Sequence, residues 1–208
     1  MAIRKGEEWG EPGTLDPGAP TITDNASLFQ LINTPGFLGP GAGATPPMVG
    51  LLGGDLARTL GSPGRAERLS SPDAHSARID LGTISLDGGE PRYFAAHAVV
   101  RHRLYRGRLF AVMNAAWIGA WNVAPRSHPG DGRMELVDAH LGLSDKLKAR
   151  RRLPHGQHVP HPNIAVRRII SESLELLRPI PVHLDGELVG AGQRIDVTVV
   201  PEAIRIVV

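Results

Sequence analysis

From residue 78 to the end of the chain, apolar and polar positions alternate with a period of two in short runs. Gly, Pro and Asp-Gly pairs interrupt them, the pattern of antiparallel strands joined by turns. Strands are predicted over Arg78 to Leu86, Arg92 to Val100, Leu109 to Asn114, Met134 to Ala139, Asn163 to Ser171, Ser173 to Leu177, Arg194 to Val200 and Ala203 to Val208. Pro179 to Gly190 adds a hairpin, in which Ile180, Val182 and Leu184 alternate with Pro181 and His183 before Asp185-Gly186 turns the chain. The earlier part reads differently. Leu28, Phe29 and Ile32 recur at helical spacing behind Asp24, Asn25 and Ser27 as possible caps, predicting a short helix over Ala26 to Ile32. Met48 to Leu52 is a short apolar strand, Gly53-Gly54 a turn, and Asp55 to Leu60 a helix closed by Gly61, with Asp55 at the N-cap position. Leu143 to Arg152 is the helix expected in the later part.

These elements divide the chain into a mobile arm over residues 1–21, a small α/β unit over 22–77 and a β-sandwich or barrel over 78–208. The arm follows from its Gly and Pro content and few apolar anchors, which leave little burial to offset its ordering entropy. Thr34 to Pro47 reads equally as a surface connection or a lid.

Composition narrows the classes. The chain has 208 residues, 41% hydrophobic and 21% charged, with 25 Gly and 18 Pro, enough for one good core rich in turns. It has no cysteine, which excludes thiol chemistry and disulfides and would leave any zinc to His and carboxylate ligands. No apolar run approaches the roughly 20 residues of a bilayer-crossing helix, and the start lacks a secretion signal, so a cytoplasmic protein is expected. Net charge is only +2, but Lys146, Lys148, Arg150, Arg151 and Arg152 cluster; they form either a solvated helix face or a patch for anionic lipid headgroups, peripheral to a membrane. Aromatics at 4%, with no recognition motif, argue against nucleic acid.

Four places carry candidate chemistry. Asp185 and Glu187 flank the hairpin bend: a turn-forming Asp-Gly with a solvated glutamate, or a general base tuned by its neighbour. Gly53, Gly54 and Asp55, between strand and helix, make either a plain chain reversal or a site for an anion. Trp117 and Trp121 bracket Gly119, and a following loop delivers Asp131, as hairpin packing or as a carboxylate for Mg²⁺. His155, His158 and His161 are spaced by three, but Pro154, Gly156, Pro160 and Pro162 make their segment a loop, favouring loop hydrogen bonding over a metal site.

In order along the chain, these pieces resemble the diacylglycerol kinase and sphingosine kinase family of lipid kinases. Gly53 to Gly61 resembles the tail of that family's Gly-Thr-Gly-Asn-Asp-Leu-Ala-Arg-Thr-Leu-Gly motif. Ile79-Asp80-Leu81-Gly82 resembles its Val-Asp-Leu-Gly, Met113-Asn114 through Asp131-Gly132 its Asn-to-Asp-Gly segment, and Val182 to Glu187 its Asp-Gly-Glu turn. The resemblance implies a C-terminal β-sandwich, a nucleotide-binding half and a cleft between them. It places the base for a lipid hydroxyl on Asp185 with Glu187 beside it and a structural Mg²⁺ on Asp131; the candidate cofactor contacts are Gly53, Gly54 and Asp55, and the candidate ligand contacts Asn114, Trp117 and Trp121.

The chain also departs from that family. Its Gly-Gly-Asp-Gly-Thr phosphate loop has as nearest counterpart Thr23-Asp24-Asn25-Ala26-Ser27, without a glycine, and Leu51, Leu52 and Gly54 replace the Gly, Thr and Asn of the later motif. Side chains there obstruct the approach of backbone N–H groups to phosphate. The expectation is a protein with a degenerate ATP site that binds an amphiphilic or lipid-type ligand between its halves. The alternatives are an acid/base enzyme, for example a cyclase, using Asp185 on a hydrophobic metabolite, and a phosphotransferase completed by a partner chain or a homo-oligomer.

Overall fold

In the computed structural model, which describes residues 10–39, 45–102 and 107–208, one largely antiparallel sheet carries most of the strands and two small helices pack beside its early strands. Strands β1 (Glu11–Pro12), β2 (Thr21–Ile22) and β3 (Met48–Leu51) frame α1 (Asn25–Ile32) and lead into α2 (Gly54–Thr59). There follow β4 (His75–Leu86), β5 (Arg92–Phe94), β6 (His97–Val100), β7 (Leu109–Met113), the short pair β8 (Trp117–Ile118) and β9 (Trp121–Asn122), and β10 (Met134–Ala139). Helix α3 (Leu143–Arg152), β11 (Ile164–Ile169), β12 (Ser171–Leu184) and β13 (Glu187–Val207) complete the chain. The main path through the sheet is β1-β4-β13-β12-β6-β7-β10-β11.

Sheet order sets which apolar face of these strands lies inside. Ala98 and Val100 of β6, Phe110 and Val112 of β7, and Met134 and Leu136 of β10 share one face. They meet Val182 and Leu184 of β12 and Ile195, Val197 and Val199 of β13 in the sandwich core. A second core forms where β13 continues past Pro201: Ile204, Ile206 and Val208 pack with Ile79 and Leu81 of β4, Val49 and Leu51 of β3, and Leu28, Ile32 and Leu56 of the two helices. There β3 pairs in parallel with β13, Ile206 opposite Val49, so the early α/β segment is an extension of the same sheet. Gly82 serves the junction: a Cβ there would stand 2.1 Å from the buried Phe94 ring, which only glycine admits.

Several expectations change in detail. The two terminal strands are one, β13, kinked by a register shift between Val200 and Ile204. The strand expected over Arg92 to Val100 is broken at Ala95–Ala96, where Ala95 N, Ala96 N and Ala95 O bond to the Asp185 and Asn114 side chains, and Ala96 O accepts from Asn114 N and Ala115 N just past β7. Of the segment expected to be an arm, residues 1–9 lie outside the described residues. From Gly10 onward it is tied down, by β1 against β4 and by bonds from Gly13 N to Ala74 O and Leu15 N to Leu69 O. Residues 40–44 of the Thr34 to Pro47 connection also lie outside the described residues. Asp24 caps α1, its carboxylate accepting from Ser27 N at 2.8 Å, whereas the N-cap of α2 is Gly53 and not Asp55, whose carboxylate is engaged elsewhere.

Candidate functional site

The hairpin turn between β12 and β13 places Asp185 at φ 50°, a left-handed conformation that Asp tolerates, and directs its carboxylate inward. The residue is 2% exposed. Oδ2 accepts from Ala95 N at 2.7 Å, and Oδ1 accepts from Ala96 N at 2.8 Å and His97 N at 2.9 Å. Asn114 braces the same break from the other side, its Nδ2 donating to Ala95 O at 2.7 Å and Asp80 O at 2.8 Å. Burial pushes the Asp185 carboxyl up in pKa, against the opposing pull of His97 and the three backbone N–H groups. Glu187, expected to tune it, is an exposed strand residue and is not among the groups that shift Asp185. Asp185 therefore shapes the break between β5 and β6, with its hydrogen-bonding capacity taken up by backbone.

That break fixes His97. Its ring is 3% exposed, and Nε2 lies 2.9 Å from Asp55 Oδ2. Asp55, on the first turn of α2, is held from three sides: Asn25 Nδ2 donates to Oδ2 at 2.7 Å, Gly119 N donates to Oδ1 at 2.8 Å, and Asp55 N donates to Asn25 Oδ1 at 2.7 Å. Burial alone would push the Asp55 carboxyl up, but the His97 bond and charge, with Asn25 and Gly119, outweigh it and hold it below its usual range. With Asp55 ionised, His97 Nε2 carries the proton and donates it; Nδ1, buried, finds no partner among the described residues.

The glycines before Asp55 serve close packing. A Cβ on Gly53 would stand 2.1 Å from Thr23 O, and one on Gly54 2.5 Å from Asn25 Oδ1, so the segment from Thr23 to Asn25 sits directly against the start of α2. The tryptophan hairpin docks onto the same helix. Arg58 stacks over the Trp117 ring with its guanidinium carbon 3.6 Å from the centroid, and Arg58 Nη1 donates to Gly119 O at 2.7 Å.

Trp121 instead lines a cavity of about 520 Å³ on the outer face of β6, β7 and β10. The floor is the face opposite the sandwich core: His97, Val99 and Arg101, then Leu109 and Ala111, then Val137 and Ala139. Helix α3 roofs it with Leu143, Lys146, Leu147 and Arg150, and His158 and His183 complete the wall. The volume lies in the ~300–1,000 Å³ range of small-molecule sites, and apolar floor with few polar groups is the usual composition. Of the basic segment, Lys146 and Arg150 thus line the cavity, while Lys148, Arg151 and Arg152 face solvent. The cavity draws its residues from 97 to 186, within the sandwich and not from the α/β segment. Burial lowers the pKa of His158 and of His183, with the Arg101 charge adding to it at His183.

Asp131 lies apart from this group. Its carboxylate is paired with Arg168 and accepts from Arg133 N at 3.1 Å. No group of three or more His, Asp or Glu arranged to hold a metal occurs among the described residues. Nor do His155, His158 and His161 form such a group; His161 Nδ1 accepts from Asn163 N, and His158 faces the cavity. The sequence marks Asn25 only as a possible cap or part of the phosphate-loop counterpart, and singles out neither His97 nor the apolar floor. The available signal was a histidine in phase with Val99 and Arg101 on an otherwise apolar strand.

Residues 82–208 match the family model of the YegS C-terminal NAD kinase beta sandwich-like domain. No curated protein sequence matches the chain. Three solved structures from Bacillus anthracis str. Sterne, whose names carry the words diacylglycerol kinase, share the fold. One is 15% identical with a TM-score of 0.64, covering 86% of this chain and 73% of its own. A second is 13% identical with a TM-score of 0.67, covering 90% and 77%. The third is 14% identical with a TM-score of 0.55, covering 77% and 66%. The match over residues 82–208, well over half of its length, makes this chain a member of the YegS-type lipid-kinase family.

Proposed function

We propose that this protein binds an amphiphile, whose apolar part lies in the cavity beneath α3, and that it does not hold ATP on its own. The observation that carries the reading is the cavity itself: an apolar floor on the outer face of β6, β7 and β10, closed by a helix that presents leucines and basic residues together. A floor of Val99, Leu109, Ala111, Val137 and Ala139 gains little from binding a polar metabolite and much from covering by an alkyl chain, at about 25 cal/mol per Å² of apolar surface removed from water. Lys146 and Arg150 on the roof suit passage from an anionic lipid surface. The nucleotide side of the proposal rests on Thr23 to Asn25, which pack against Gly53 and Gly54 and tie up Asp55 where relatives of this family would need open backbone N–H groups.

The test is displacement of a polarity-sensitive anilinonaphthalene dye by decyl alcohol, in the native chain and in Ala111→Phe, which fills the floor. Native protein is expected to bind both, and the filled variant to bind at least tenfold more weakly while keeping its melting temperature. Equal binding by the two would overturn the cavity assignment. MgATP at millimolar concentration is expected to leave the melting temperature unchanged; a rise of several degrees would restore a kinase reading.

A further inference from the structure

We infer that His97, oriented by Asp55, is the proton-accepting group at the polar end of the cavity, in place of the turn aspartate. The inference deepens the amphiphile reading and rests on it. Asp185 is sealed: its two oxygens accept three backbone N–H groups from residues 95 to 97, which leaves it no direction toward a ligand. His97 stands differently. It shares a strand face with Val99 and Arg101, and all three line the cavity. Its Nε2–H is committed to Asp55 at 2.9 Å, and Asp55 is in turn fixed by Asn25 and by the backbone of Gly119. A carboxylate on one ring nitrogen sets the tautomer, so in the neutral ring the other nitrogen is a lone-pair acceptor.

That nitrogen, Nδ1, is buried and has no partner among the described residues. Buried acceptors are rarely left so, and one on a cavity wall is completed when a ligand supplies an O–H or N–H. The cavity therefore selects for a hydrogen-bond donor at its His97 end, and an isostere without the donor leaves Nδ1 unpaired. The same placement makes His97 the group toward which such a proton would move, with Asp55 stabilising the imidazolium that results.

Decyl alcohol and decyl methyl ether separate donor recognition from plain apolar burial. In native protein the alcohol is expected to bind roughly tenfold or more tighter than the ether. In His97→Phe that preference is expected to collapse to less than about twofold, with both probes still bound. Because His97→Phe could disturb the fold, the native chain carries a second readout. The ¹⁵N resonance of His97 Nδ1 is expected at the unprotonated position, moving upfield on addition of the alcohol but not of the ether. Equal affinity for the two probes with an unmoved Nδ1 resonance would overturn the role of His97 while leaving the amphiphile reading intact. Failure of both probes to bind would remove the amphiphile reading first, and this inference with it.

Discussion

Buried carboxylates in this chain act mainly as clasps on distant backbone. Asp80 accepts from Gly132 N at 2.7 Å and Glu202 N at 3.0 Å, tying the Asp131-Gly132 loop to the kink in β13; Asp185 ties the β5–β6 break. Asp55 differs in that one of its partners is a ring. Asp185→Asn keeps the positive φ but turns an amide N–H₂ toward backbone donors, so it is expected to lower unfolding free energy by about 1–3 kcal/mol. Glu187→Gln, on the exposed strand, should stay within about 0.5 kcal/mol. Urea titrations of the two variants read this directly, and equal small losses would mean the Asp185 bonds contribute little. The Asp-Gly turn was legible because turn chemistry is local. The direction of its carboxylate was not, because that depends on where residues 95–97 lie, some ninety positions earlier in the chain.

At the scale of elements, most strands and the three α-helices among the described residues follow from local pattern, Met134–Ala139 and Leu143–Arg152 with the bounds read from sequence. What periodicity could not give was the outer face of β6, β7 and β10. Both faces of these strands are apolar, so alternation marks neither as the core, and only the sheet order shows which one α3 covers. Leu143 and Leu147 are 78% and 58% exposed on a helix that also presents Lys148, Arg151 and Arg152 outward. If α3 meets an anionic bilayer, the paired reversal Arg151→Glu and Arg152→Glu should weaken co-sedimentation with vesicles rich in phosphatidylserine by tenfold or more, at about 1 kcal/mol per basic residue. Binding by the native chain should fall as salt rises. Vesicle binding that ignores both changes would remove α3 from the membrane contact. Among the described residues no helix is long and apolar enough to cross a bilayer.

For the whole molecule, pH dependence follows from the cavity. Burial depresses the folded pKa of His158 and His183 below the unfolded value near 6.5, so the unfolded state binds more protons over the interval between them. The stability associated with their neutral rings is complete above that value and is lost as pH falls through 6.5 toward the folded pKa, at up to about 1.4 kcal/mol per pH unit per group. Asp80, Glu135 and Asp185, pushed up chiefly by burial, act in the opposite sense, losing stability as pH rises toward their folded pKa. The difference between the native chain and His158→Phe isolates one histidine. Melting temperatures of the two measured from pH 7.5 to 5 should diverge in slope, and parallel curves would show that His158 protonates as freely folded as unfolded. The 21-residue strand β13 has a further bearing at this scale. Its first stretch is hydrogen-bonded among sandwich strands and its last is flanked by Met48 to Gly50, so a shortened version beginning at residue 78 would carry an open seam along Arg205 to Val207. Such a seam recruits other chains as readily as its own, which makes the early α/β segment a guard against self-association as well as a source of Asp55.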